Sequence, residues 1–402
     1  MKADLNLSGK DPASGPADVT PSRRVNVAAS VRRGRPTVYT SYARDQAIWN
    51  TPAKLWWTVG LVVLAFAAPF LIAQDLTNLL ALAAVYAIGG IGLNLLTGYA
   101  GQVSLGQAFF MAAGAYTAAV FGGESTRTVI GLGWDMALWL PLAAIVPGLL
   151  GLIVAPLAAR VRGLYLATLT LGLVMIGQHV LNNWDALTGG AGIGRAPAEP
   201  VLFGVDLSKP VRVAGLLVTE QRALYLVSLV LLIVLAIAAR NLARGKVGRA
   251  FAAVRDRDIA AEVMGVPLQR TKTAAFVISS AYAGVSGALL SVVIGRISPD
   301  RWNLLLSIDF LAIVLIGGVA TISGSIMGAC FVVLLPRALE DLTHAFPALT
   351  NDSGEIVGFT LDEVKTMLFG ILIAAVIIVE PRGMYGLWLR IRNYFKAWPF
   401  SY

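Results

Sequence analysis

The chain has 402 residues, 57% of them apolar and 14% charged, with a formal net charge of +9. Soluble domains carry roughly a quarter charged residues, and the mean hydropathy here is +0.72, so a soluble globule, a disordered chain and a collagen-like fibre are all excluded. Lys and Arg are scattered through short segments between apolar runs and form no continuous stripe. The positive balance therefore reads as membrane orientation, with no nucleic-acid partner.

Residues 1–50 form a polar tail with Pro, Ser and Arg. They lack a short apolar core followed by a cleavage site, so they read as a cytoplasmic disordered tail and not as a secretory signal. From Trp56 onward, uncharged runs of roughly 15–22 residues recur, near the length that crosses a bilayer. These runs are apolar all round, without the single stripe of a soluble helix. The expected fold is an all-α polytopic membrane protein with ten transmembrane helices, at about 55–73, 77–96, 108–122, 138–158, 163–181, 223–239, 273–294, 308–321, 324–339 and 365–379. The membrane domain covers 51–390, and 391–402 is a short cytoplasmic tail.

Basic residues are retained on the cytoplasmic side. The tail carries Lys2, Lys10, Arg23, Arg24, Arg32, Arg33, Arg35, Arg44 and Lys54, which puts it inside, and ten crossings return the C-terminus to the same side. Two loops check this independently. Arg160 and Arg162 fall inside, as does the dense basic run from Arg240 to Lys272, whereas 182–222 and 340–364, which fall outside, are charge-balanced or acidic.

Two segments differ from ordinary spans, being short, Gly-rich and dotted with neutral polar groups: GLNLLTGYAGQVSLGQAFF from Gly92 to Phe110 and LIGGVATISGSIMGA from Leu315 to Ala329. Irregular backbone at membrane depth must be buried in protein or line a watery cavity. Paired interrupted segments point to a transport path and often to inverted repeats. The similarity between the two strings is weak, so two inverted repeats stay one of two readings. Asn94, Thr97, Tyr99, Gln102, Ser104 and Gln107, with Ser323 and Ser325 in the second segment, supply neutral donors and acceptors suited to a passing polar or zwitterionic solute. The competing reading is that they cap broken helices and bond neighbouring backbone.

Catalytic chemistry has little to work with. The two histidines, His179 and His344, have no metal-ligand spacing, the one cysteine, Cys330, lies inside an apolar run, and no metal site is expected. The string nearest a phosphate loop, Arg244-Gly245-Lys246-Val247, lacks both the leading glycine and the metal-binding hydroxyl. The one carboxylate placed clearly within a membrane stretch is Asp309, at that stretch's edge, which gives proton or cation coupling little support.

The cytoplasmic stretch from Arg255 to Leu289 predicts a short helix of about two turns. Asp256 or Asp258 can start it, Ile259, Ala260, Val263 and Met264 give it an apolar face, and Gly265 with Pro267 ends it. Such a helix is either an interfacial connector or a knob that docks in a groove of a soluble partner.

At these residues the sequence resembles the LivM-type permease subunits of branched-chain amino acid ABC importers. The resemblance is carried, in order, by the Gly92–Phe110 string, VRGLYLATLTLG from Val161, LNNWDALTGGAGI from Leu181, the Arg255–Leu289 stretch, the string from Ile297 to Ala329, and EPRGMYGLW from Glu380. It implies a bacterial inner-membrane permease domain that is not itself an enzyme. Its implied partners are a second related permease, two cytoplasmic ATPase subunits that hold the ATP and magnesium, and an external solute-binding protein. The resemblance assigns ATPase docking to Arg257, Asp258, Ala261, Glu262, Gly265 and Pro267. Related permeases serve urea or short amides, which is the alternative solute class. An ATP-independent carrier or channel is the alternative mechanism.

Overall fold

A computed structural model describes residues 52–345 and 382–397, apart from 127–128, 162, 191 and 214–215, together with a strand pair at 355–356 and 359–360 and scattered positions from 367 to 380. The tail 1–50 and most of the expected tenth span, 365–379, lie outside the described residues.

The described residues are helical almost throughout. Helix α1 (Pro52–Leu71) begins on a proline, whose missing N–H costs nothing in a first turn. Helix α2 (Gln74–Asn94) runs into a π turn at Leu95–Tyr99, and an extended stretch follows before α3 (Gln107–Gly122). Helix α4 (Met136–Arg160) starts where the Asp135 carboxylate accepts from Ala137 N at 2.8 Å, a side-chain cap. Helix α5 (Leu164–Asn183) leads into a one-turn helix α6 (Asp185–Thr188). Two small antiparallel hairpins come next: β1 (Val201–Leu202) with β2 (Val205–Asp206), and β3 (Val211–Val213) with β4 (Leu216–Val218). Helix α7 (Glu220–Arg244) precedes two short helices, α8 (Lys246–Asp256) and α9 (Asp258–Val263), and then the long α10 (Leu268–Ile294). Helices α11 (Leu304–Gly317) and α12 (Ile322–Ala345) are separated by a four-residue break. Strands β5 (Glu355–Ile356) and β6 (Phe359–Thr360) and helix α13 (Gly383–Ala397) complete the described residues.

Five of the helices, those carrying α2, α4, α5, α7 and α10, are long and apolar enough to cross a membrane, and shorter apolar helices lie within α1 and α12. The chain is thus a multi-pass membrane protein of helical fold. Burial separates the spans into two sets. In their most apolar stretches α2 and α10 are 78% and 72% buried by protein, whereas α4, α5 and α7 are 28–39% buried and turn most of their surface outward. The core therefore runs along α2 and α10, with α3, α4 and α12 packed around them.

Small residues permit this closeness. A Cβ on Gly114 would strike the Gly284 backbone, and one on Gly284 would strike the Ala143 carbonyl, so α3, α10 and α4 meet at glycine contacts. Around this crossing Phe110, Phe276 and Phe310 are buried, with Tyr86 stacked on Phe310 at 4.9 Å between centroids. At the end of the bundle where α3 and α10 stop, Arg195 donates to Ala119 O at 2.6 Å, Leu187 O at 3.0 Å and Ile130 O at 3.0 Å. Its backbone bridges Ile297. One buried guanidinium thus ties the segment after α6 to α3 and to the exit of α10, and burial lowers its pKa from the usual arginine value.

Candidate functional site

The two irregular segments meet. Asn94, the last residue of α2, directs its amide into the break between α11 and α12. Nδ2 donates to Thr321 O at 2.9 Å and Ser325 Oγ at 2.8 Å, with Gly318 O at 3.3 Å, while Oδ1 accepts from Ala320 N at 2.8 Å. Asparagine suits this position because a single planar amide offers both donors and an acceptor. Ala320 has a φ of +59°, a left-handed conformation for a residue with a Cβ, and the Asn94 bond holds it there. A third segment closes on the same place. Gly383 (φ +67°), in the EPRG string, sits so close to Ile316 O and the Gly318 backbone that a side chain would not fit. Beside it, buried Glu380 pairs with Arg390 at 2.8 Å.

The residues expected along the path divide by what they touch. Asn94 and Ser325 are fully buried; Asn94 bonds backbone across the breaks, Ser325 accepts from Asn94 and donates to Thr321 O, and Gln107 donates to Gly89 O at 3.1 Å. Ser104 Oγ accepts from Gly106 N at 3.2 Å, and Thr97 donates to Gln102 O at 3.1 Å. These five serve the backbone of the broken segments. Tyr99 is half-buried and Ser323 is exposed. Gln102 stands apart, because it is 6% exposed and neither atom of its amide has a hydrogen-bond partner.

The residues expected to dock a partner form one elbow. Helix α9 turns Ile259 (69% exposed), Val263 (81%) and Met264 (83%) outward and Ala261 inward. It ends in a glycine cap, with Gly265 N bonded to Glu262 O and Val266 N to Ala261 O, both at 2.9 Å. Gly265 has a φ of +84° and open space around it. Arg257, Glu262 and Pro267 are exposed on the rim. The expected side-chain cap by Asp256 or Asp258 does not form. Asp256 pairs with Arg255 at 3.1 Å, and Asp258, the first residue inside the helix, pairs with Lys272 of α10 at 2.7 Å. A buried ammonium within reach outcompetes a local cap.

The elbow is also wired to the first break. Arg255 Nη1 donates to Gly98 O at 3.1 Å, and a Cβ on Gly101 would lie 2.8 Å from Arg255 Cγ. No spacing or motif signals this link, since Arg255 is one basic residue among many in its loop. Away from the elbow an open cavity of 450 Å³ is lined by Tyr86, Asp300, Arg301 and Asp309, which sequence reasoning did not group. Among the described residues no cluster of His, Cys, Asp and Glu is arranged to hold a metal.

The sequence signature described as "Branched-chain amino acid transport system / permease component" matches residues 76–379. The high-affinity branched-chain amino acid transport system permease protein LivM of Escherichia coli is 31% identical over 81% of this chain and 73% of its own length. LivM of Salmonella typhimurium is 32% identical over the same shares. A probable branched-chain amino acid transport permease protein LivH from Methanocaldococcus jannaschii is 25% identical over 63% of this chain and 76% of its own. No solved structure matches. A signature spanning most of the chain, together with LivM relatives above 30% identity, shows that this chain belongs to the permease components of branched-chain amino acid transport systems.

Proposed function

We propose that this permease forms half of the membrane path of an ATP-driven importer for branched-chain amino acids and has no ATP site of its own. Its partners are a second permease of the LivH kind, two cytoplasmic ATPase subunits that bind ATP and magnesium, and an external solute-binding protein. The observation that carries the reading is the α9 elbow, a helix end with three large apolar side chains in solvent, mounted on α10 by the Asp258–Lys272 ion pair and joined through Arg255 of α8 to the broken end of α2. An apolar knob with charged rims fits a groove on a soluble partner. Closure of the ATPase pair would pull this knob and shift the bundle between inward-facing and outward-facing arrangements. The charge pattern supports an orientation with α8, α9 and both termini in the cytoplasm and the hairpins after α6 outside.

The test is uptake of labelled leucine and of urea into vesicles reconstituted with and without the ATPases and the binding protein. Leucine uptake that requires both supports the reading. Uptake without the ATPases refutes it in favour of a carrier or channel, and urea uptake alone moves the solute to the amide class. Cysteine introduced at Lys246 in a Cys330→Ser background should label from the cytoplasmic side.

A further inference from the structure

A cavity of 110 Å³ lies between the first break and the elbow. One water needs roughly 10–15 Å³ on a comparable measure, so the space suits a small solute. Its walls are of two kinds. Gln102, Arg255, Asp258 and Lys272 make one side polar, while Val103, Leu166 and Val254 make the other apolar. The Lys272 ammonium is buried, and its bond to Asp258 uses one of three N–H donors. Both atoms of the Gln102 amide are without partners in the same wall.

A cation, a carboxylate and an amide opposite an apolar wall match an α-amino acid with an aliphatic side chain. The solute's carboxylate would face Lys272 and Arg255, its ammonium would face Asp258, and its hydrocarbon would rest on Val103 and Leu166. We infer that this cavity is a second binding site for the transported amino acid, reached from the cytoplasm, and that its occupant braces the coupling elbow. Three structural units converge on it: α8 through Arg255, the joint between α9 and α10 through the Asp258–Lys272 pair, and the first break through Gln102. A ligand bridging them resists the motion of α9 relative to α10, so accumulated product slows the transporter. The inference rests on the amino-acid reading above.

The experiment uses the full complex in vesicles with the ATPases facing outward, so that leucine added outside meets the cytoplasmic face. The readout is the ratio of ATP hydrolysis with and without added leucine, the binding protein being inside with its own leucine. Cytoplasmic-side leucine should lower hydrolysis by about tenfold, within the usual span of coupling between two sites. Val103→Trp, which fills the cavity from its apolar side and leaves the Asp258–Lys272 pair in place, should bring the ratio back to one. Labelled leucine should bind the complex without the binding protein, and Val103→Trp should remove that binding. Leucine transport with an unchanged ratio overturns the site alone, and so does inhibition that persists in Val103→Trp. Absence of leucine transport overturns the solute reading and the site with it.

Discussion

Replacing Asn94 with alanine should unfasten the two broken segments from each other. The Asn94 amide has two hydrogens shared among Thr321 O, Ser325 Oγ and Gly318 O, plus one bond accepted from Ala320 N. Three full hydrogen bonds at about 1 kcal/mol net each give about 3 kcal/mol, and the Ala320 N–H left without a partner brings the loss to about 3–5 kcal/mol. Thr321 O keeps its bonds from Ser325, and Gly318 O keeps the one from Thr321. Relaxation of Ala320 from its left-handed conformation returns about 1 kcal/mol. The expected net loss is about 2–4 kcal/mol, a large fraction of the 5–15 kcal/mol typical of a folded protein. The assay is thermal unfolding of the purified chain in detergent, followed by thiol-reactive dye at half-buried Cys330, with uptake measured alongside. Asn94→Ala should melt several degrees lower and transport poorly, while Ala320→Gly, which keeps the N–H and removes the strain, should melt at or above the parent. An unchanged melting point in Asn94→Ala would refute the bridging role.

Gly265→Asp should leave the chain folded in the membrane, because the position faces open space, yet abolish co-purification of the ATPases. A left-handed Asp costs about 1 kcal/mol and a carboxylate buried at a docking surface several more, whereas Lys246→Ala on the basic flank should bind them normally. Gly284→Leu should prevent folding altogether, read as loss of membrane-inserted protein, since its side chain would enter the backbone of α4 at Ala143. Lys272→Met should destabilise the elbow by about 3 kcal/mol by removing the buried ammonium that pairs with Asp258, and Lys272→Met combined with Asp258→Leu should recover much of that loss.

The helices were legible where hydropathy is continuous. The expected 108–122 and 138–158 spans are α3 at Gln107–Gly122 and α4 at Met136–Arg160. The 223–239 span fell short of α7, Glu220–Arg244, because its polar ends extend past the apolar stretch that hydropathy detects. Helix α8 was hidden inside a run taken as a basic loop, since its apolar residues Val247, Phe251 and Val254 are interleaved with Lys and Arg. Both broken segments were visible from their glycines, but their contact was not, because Asn94 and Ser325 are 231 positions apart and no periodicity encodes such a pairing. The same limit applies to Arg255, whose bond to Gly98 spans 157 positions. The hydrogen bonds of these polar residues were likewise not legible from the sequence. Asn94, Gln107 and Ser325 serve the backbone, and Gln102 has no bond to serve.

The π turn at Leu95–Tyr99 gives the end of α2 one residue of slack. Each of its hydrogen bonds encloses one residue more than an α turn does, so winding it to α geometry would release a single residue into the extended stretch that follows. Everything downstream would then rotate by about 100° and advance about 1.5 Å relative to the helix axis. The carbonyl of Gly98, which Arg255 holds from the elbow, lies within that turn. A pull on α8 would thus be applied at the point where α2 can change its winding without breaking, and the joint would work as a ratchet tooth more than as a hinge.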